Sequence, residues 1–128
     1  MKKAVIVVGK HFAGKSKTIR EYLKPKLGIG KHVRIFARYG QSGHILSQTL
    51  EEPKRKRSGQ EIVTKYSKYD LLVFSARPAT ESGSQVNELS KALKDNGYQV
   101  NTVDVAGRTQ PASYFEAKAN EIISHLDK

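Results

Sequence analysis

Gly9, Gly14, Lys15 and Ser16 stand at the spacing G-x-x-x-x-G-K-[ST] within Gly9-Lys10-His11-Phe12-Ala13-Gly14-Lys15-Ser16. Each residue type has a physical task in that pattern. The glycines permit positive φ and let backbone N–H groups approach phosphate oxygens where a β-carbon would obstruct them. A helix opening near Lys15 adds its positive end and its unpaired donors. The Lys15 ammonium is expected to reach the β- and γ-phosphates, and the Ser16 hydroxyl to ligate Mg²⁺. The run from Gly9 through Lys10, His11, Phe12, Ala13, Gly14, Lys15 and Ser16 to Lys17 is therefore the expected binding segment for a nucleoside triphosphate. A chance glycine-lysine turn before a helix is the competing explanation, and the flanking elements argue against it.

Those elements are legible in the hydrophobic pattern. Lys3 to Val8 (KAVIVV) is a continuous apolar run of the kind found in strands buried on both faces. It reads as a first strand rather than as a secretion leader, because the apolar stretch is short and runs straight into the glycines. Further strands are expected at His32–Ala37, Asp70–Phe74 and Gln99–Val105. Between them Ile19, Tyr22 and Leu23 fall at helical spacing until Pro25 and Gly28. Ser58 with Glu61, and Ser82 with Gln85, offer capping boxes for two more helices, the second ending at Gly97. Pro111 opens a last helix with Tyr114, Phe115, Ile122, Ile123 and Leu126 on its buried face. Strands alternating with helices predict an α/β fold, a three-layer α/β/α arrangement with a mostly parallel sheet of about four strands. Arg38 to Ser58 breaks the rhythm and is expected to be a flexible flap near the ligand, its Ile45–Leu50 run a lid helix or a packed loop.

Over Ala4 to Thr18 the sequence resembles a P-loop NTPase, nearer to the compact kinase-like members than to motor or AAA-type ATPases; beyond Thr18 the likeness is architectural. The resemblance implies Lys15 as the phosphate lysine, Ser16 as the magnesium ligand, and the Ala4–Val8 strand near the centre of a parallel sheet. The chain departs from the family where an acid should follow a buried strand, since Leu71-Leu72-Val73-Phe74 is followed by Ser75. Asp70 sits at the other end of that strand and reads as a turn residue. Asp104, at the end of the last strand, is the acid expected to serve the metal in its place. Arg77 follows the third expected strand, where a guanidinium could stabilise developing phosphoryl charge, and Glu81 nearby could orient a nucleophile. Arg38 ends the second strand, where an acceptor substrate is expected to bind. The D-x-x-G at Asp104–Gly107 lacks a following N-K-x-D guanine motif, so ATP is the expected nucleotide.

Composition sets the outer bounds. A chain of 128 residues fits one domain. It has no cysteine, which removes disulfides, thiolate zinc sites and thiol catalysis and suits a reducing cytoplasm. Its four histidines have no metal-ligand spacing. No apolar stretch reaches the roughly 18 residues of a membrane span. A net charge of +11 calls for an anionic partner, and Pro53–Arg57 (PKRKR) suits either a nucleic acid or a flap over phosphates. The leading expectation is a Mg²⁺-dependent ATP-binding protein acting as a phosphotransferase or slow NTPase on an acceptor that the sequence does not name. The alternatives are a non-catalytic nucleotide sensor or assembly module, and a basic nucleic-acid-binding factor.

Overall fold

The computed structural model describes residues 2–10, 14–50, 58–107 and 109–127. Its centre is a five-stranded sheet of β1 (Lys2–Val8), β2 (Ile35–Arg38), β3 (Gln41–Thr49), β4 (Leu71–Ala76) and β5 (Tyr98–Asp104) in the order β2-β3-β4-β1-β5. β1 pairs in parallel with β4 on one side and β5 on the other, and β3 pairs in parallel with β4. Only β2 runs antiparallel, against β3.

The continuous apolar run of β1 follows from what covers it. Ala4, Ile6 and Val8 join one core with Phe74, Ile62, Leu89 and Leu93, beneath α3 (Gly59–Tyr66) and α4 (Val86–Asp95). Val5 and Val7 face the opposite core with Ile19, Leu23, Val73, Phe115 and Ile122, beneath α5 (Ala112–Asp127) and the first helical run. Alternating side chains of a strand covered on both faces must all be apolar. Burying each large side chain such as Phe74 or Phe115 contributes roughly 1.5–3 kcal/mol. The fold is thus α/β, with helices on both faces of a mostly parallel sheet. No helix among the described residues is long and apolar enough to cross a membrane.

The helix boundaries show which local rules held. The first helical run begins with α1 (Lys15–Lys17), widens to a π-helical stretch at Thr18–Leu23 and closes with α2 (Lys24–Lys26). Pro25 is therefore inside the run, not at its end. The Lys24 N–H bonds back to Ile19 C=O across the widened turn, which accommodates a proline that lacks an N–H of its own. The run ends at Gly28, φ 75°, with the Ile29 N–H on Lys24 C=O and the Gly28 N–H on Pro25 C=O, the paired closure that needs a left-handed residue. The Ser58–Glu61 capping box is present. The Ser82–Gln85 box is not: α4 starts at Val86, whose N–H is accepted by the Ser84 hydroxyl. Serine at both 82 and 84 makes the sequence ambiguous about which one caps.

The larger correction concerns Arg38 to Ser58. Five strands stand where about four were expected, and the additional one, β3, occupies much of the supposed flap. Ile45 is fully buried opposite Val73, so the Ile45–Leu50 region belongs to the sheet rather than to a lid helix. The chain reverses at Tyr39 (φ 50°) and Gly40 (φ 78°), between the ladder partners Arg38 and Gln41. Two consecutive positive φ values make the two-residue turn whose twist matches a hairpin. A tyrosine rarely adopts that conformation, and Tyr-Gly was not read as a hairpin turn. The basic run Pro53–Arg57 lies outside the described residues.

The hairpin is locked by Phe36, a buried ring lying over Gly43, its ladder partner. A β-carbon at Gly43 would come within 2.3 Å of that ring. We expect Gly43→Ala to displace Phe36 and cost about 1–3 kcal/mol of stability, as overpacking does. Denaturant unfolding of wild type and variant checks this; equal midpoints would contradict the observed register.

Candidate functional site

The glycine-rich segment leaves the sheet at a fixed point. Beyond Val8 the Gly9 N–H bonds to Ala76 C=O at the end of β4, and the Val105 N–H bonds to Val8 C=O from the end of β5. The loop therefore opens at the carboxyl edge of three adjacent parallel strands, the crevice where open α/β sheets hold ligands. His11, Phe12 and Ala13 lie outside the described residues. At the far side Gly14 adopts φ 96°, ψ 16°, a left-handed N-cap without a side-chain cap bond. Among the described residues the loop's positive φ falls on Gly14 and not on Gly9.

The first bond of the helix runs from the Thr18 N–H to Gly14 C=O at 2.9 Å, and the Thr18 hydroxyl donates to the same oxygen at 2.8 Å. Two donors on one carbonyl fix the first turn and leave the preceding backbone N–H groups directed out of the helix end. Sequence reasoning passed over Thr18; a hydroxyl one helical turn after the second glycine was the available signal. Lys15 is buried, and its ammonium donates to Gly9 C=O and to Lys10 C=O, the latter at 2.9 Å. The cation is thus folded back across the loop instead of into the hydrophobic core. Ser16 is exposed at the helix end. The Lys17 side chain turns away, its Nζ 5.0 Å from the centre of the Phe115 ring on α5, so only its backbone remains with the loop.

The other candidates divide by location. Ser75 is fully buried, opposite Val7 on β1, and alternates with Leu71 and Val73 toward the core that receives Ile19 and Leu23. It therefore faces the side of the sheet that the first helix covers. Asp104 is opposite Val8, at the correct end of the sheet, and is exposed. Strand alternation puts it on the other face, since Val103 and Val105 share the core of the first helix. Arg77 follows the Ala76 that holds Gly9, and its carbonyl accepts the Ser84 hydroxyl at 2.8 Å. Glu81 lies in a tight turn beyond it, its N–H on Pro78 C=O and its carbonyl accepting the Ser84 N–H. Tyr114 was expected only as core; its hydroxyl accepts the Ala106 N–H at 2.7 Å and so secures the loop after β5.

Arg38 is not part of this constellation. β2 is antiparallel, so its carboxyl end lies at the amino end of the other strands, away from Gly9 and Gly14. Its guanidinium forms a two-pronged ion pair with Asp127, Nε to Oδ1 at 2.5 Å and Nη2 to Oδ2 at 2.8 Å, which ties the hairpin to the end of α5. Arg38 therefore lies away from the loop beside which an acceptor substrate was expected.

No group of three or more His, Cys, Asp or Glu suited to a metal occurs among the described residues. A magnesium ion requires no such cluster when phosphates and water fill most of its octahedron, and the Ser16 hydroxyl fits that mode. No family model, curated protein or solved structure matches the chain, so the functional reading rests on the geometry of the site.

The Arg38 hydrogen bonds hold the Asp127 carboxyl below the usual carboxylate range. Its contribution is therefore present above the unfolded-state value and is lost as pH falls through the lower, folded one. We expect Asp127→Asn to cost at most about 1 kcal/mol at neutral pH, as partly exposed pairs do. The difference from wild type should close in acid, as measured by thermal unfolding across pH. A pH-independent difference would contradict the ionic origin.

Proposed function

We propose that this chain is a P-loop protein that binds a nucleoside triphosphate, ATP in the first instance, with Mg²⁺. The observation that carries the reading is the placement of Gly9 and of Gly14–Ser16: Gly9 follows a strand buried on both faces, and a left-handed Gly14 opens a helix without a side-chain cap. Backbone N–H groups at that helix end suit phosphate oxygens, and the helix end itself favours an anion by roughly 0.3–1 kcal/mol. Binding would exchange the carbonyl partners of the Lys15 ammonium for β- and γ-phosphate oxygens, which charge-assisted bonding favours. Ser16 would present its hydroxyl to the phosphate-bound Mg²⁺, and the ion would supply charge neutralisation. Arg77, which follows the Ala76 that holds Gly9, would stabilise charge on a phosphoryl group in transfer or slow hydrolysis.

A second reading has its own support. The position facing the first helix at the end of β4 holds Ser75, a hydroxyl where an acid would polarise water or metal. Asp104, the replacement acid, leaves the opposite face. Nucleotide binding without turnover, as in a sensor or assembly module, follows if no other carboxylate reaches the metal.

Two measurements separate these readings. Lys15→Ala should weaken ATP binding in calorimetric titration by about 10- to 150-fold, the equivalent of losing a charged hydrogen bond worth roughly 1.5–3 kcal/mol. Unfolding midpoints should stay close to wild type. Equal ATP affinities would end the nucleotide proposal. For the metal, Asp104→Asn should lower turnover and Mg²⁺ dependence if Asp104 acts catalytically; unchanged values with measurable turnover exclude it, and wild type without turnover selects the sensor reading.

A further inference from the structure

β2 is the edge of the sheet, and its outer side combines three features that point to one kind of partner. The first is open backbone. The Ile45 N–H bonds to Arg34 C=O, which makes Arg34 and Ile45 a hydrogen-bonded pair. By antiparallel alternation Phe36 and Arg38 also bond inward, so the N–H and C=O groups of Ile35 and Ala37 point outward from the sheet. The second is an apolar stripe. Ile35 and Ala37 fall on one face, opposite to that of buried Phe36, and Ile35 is 54% exposed; Val33, just before the strand, is 44% exposed. Natural edge strands are normally blunted against pairing by charge or proline, whereas here the two residues whose amides point outward, Ile35 and Ala37, are aliphatic.

The third feature is one-signed charge. His44 is the ladder partner of Ile35, and its ring packs 4.6 Å from that of Tyr66 and 5.1 Å from that of Tyr69. The Lys65 and Lys68 ammonium groups lie over those two tyrosine rings. The charges that act on His44 are those of Arg34, Lys65, Lys68 and Lys24, all cationic. None of the ion pairs among the described residues engages Arg34, Lys65 or Lys68.

We propose that β2 is a docking edge for an extended acidic polypeptide segment that adds a strand antiparallel or parallel to Ile35–Arg38. Main-chain bonds to Ile35 and Ala37 would supply the pairing. Alternate apolar side chains of the partner would cover Ile35 and Ala37; its carboxylates, on the opposite face by the same alternation, would meet Arg34, and the ammonium groups of Lys65 and Lys68 add a longer-range attraction. A second copy of this chain is the poorer occupant, since pairing β2 with itself brings the same cations together between two molecules that each carry +11. A nucleic acid would use the cations but neither the outward amide ladder nor the aliphatic side chains.

The test titrates the full chain with a blocked peptide of about eight residues alternating glutamate and valine, long enough for one strand. A lysine-valine peptide of equal length and an oligothymidylate serve as comparisons. Binding is read by calorimetry and by backbone amide shifts. The glutamate-valine peptide should bind best and move the Ile35 and Ala37 amides. Ala37→Pro removes an outward N–H without removing a bond to β3, a change that edge strands tolerate, and should weaken binding at least about tenfold. Ile35→Glu, at an exposed position, should do the same and covers the case in which the proline variant fails to fold. The proposal is overturned if the acidic peptide binds no tighter than the basic one, or if both variants bind it as wild type does. It is equally overturned if oligothymidylate is the ligand that moves these amides, or if the free chain self-associates through this edge.

Discussion

Everything at the candidate site depends on β1 being buried on both faces between two parallel neighbours. A strand in that position has no solvent side, so its residues are all apolar and its direction is set by the ladders to β4 and β5. The chain can become polar only where β1 ends, and there Gly9 is already tied to Ala76 while Val8 is tied to Val105. Gly9 consequently leaves the sheet from an anchored rim. For the proposed phosphate ligand such anchoring matters, because donors fixed in advance need no reorganisation when the anion arrives.

Few residues set the start of the helix that follows. Gly14 takes the left-handed turn, Thr18 closes the first helical turn onto its carbonyl, and Lys15 folds back over the entrance. The π-helical stretch that follows is tied to Pro25, which the widened turn carries without breaking the run. Ile19 and Leu23 then anchor the same helix in the core beneath α5. Local strain and tertiary packing therefore act on one short run. Its polar end lies at the carboxyl edge of the sheet, and its apolar side is fixed to the sheet.

Much of this was legible in the sequence because the signals were local and consistent. KAVIVV, the Ser58–Glu61 box, Gly97 and Pro111 each specify an element by themselves. The β2–β3 hairpin was not legible for a physical reason: its turn uses Tyr39 at φ 50°, and its register depends on Phe36 closing over Gly43, a contact between residues that no spacing rule links. Misreading that turn made β2 a parallel strand. It thereby carried Arg38 to the ligand end of the sheet, when its charge belongs to Asp127 at the other end. Asp104 illustrates a finer limit. Its position at the end of β5 could be read from the pattern, but the face it occupies depends on strand parity relative to the first helix.

The most direct test of the account is a titration of the isotopically labelled chain with Mg²⁺ and ATP, and separately with inorganic tripolyphosphate, followed at individual backbone amides. If the loop is a phosphate cradle, both ligands should shift the amides of Gly9, Gly14, Lys15 and Ser16 first and most strongly, since the recognition lies in the phosphates. Shifts confined to other surfaces, or saturable ATP binding that leaves these four amides unmoved, would contradict it.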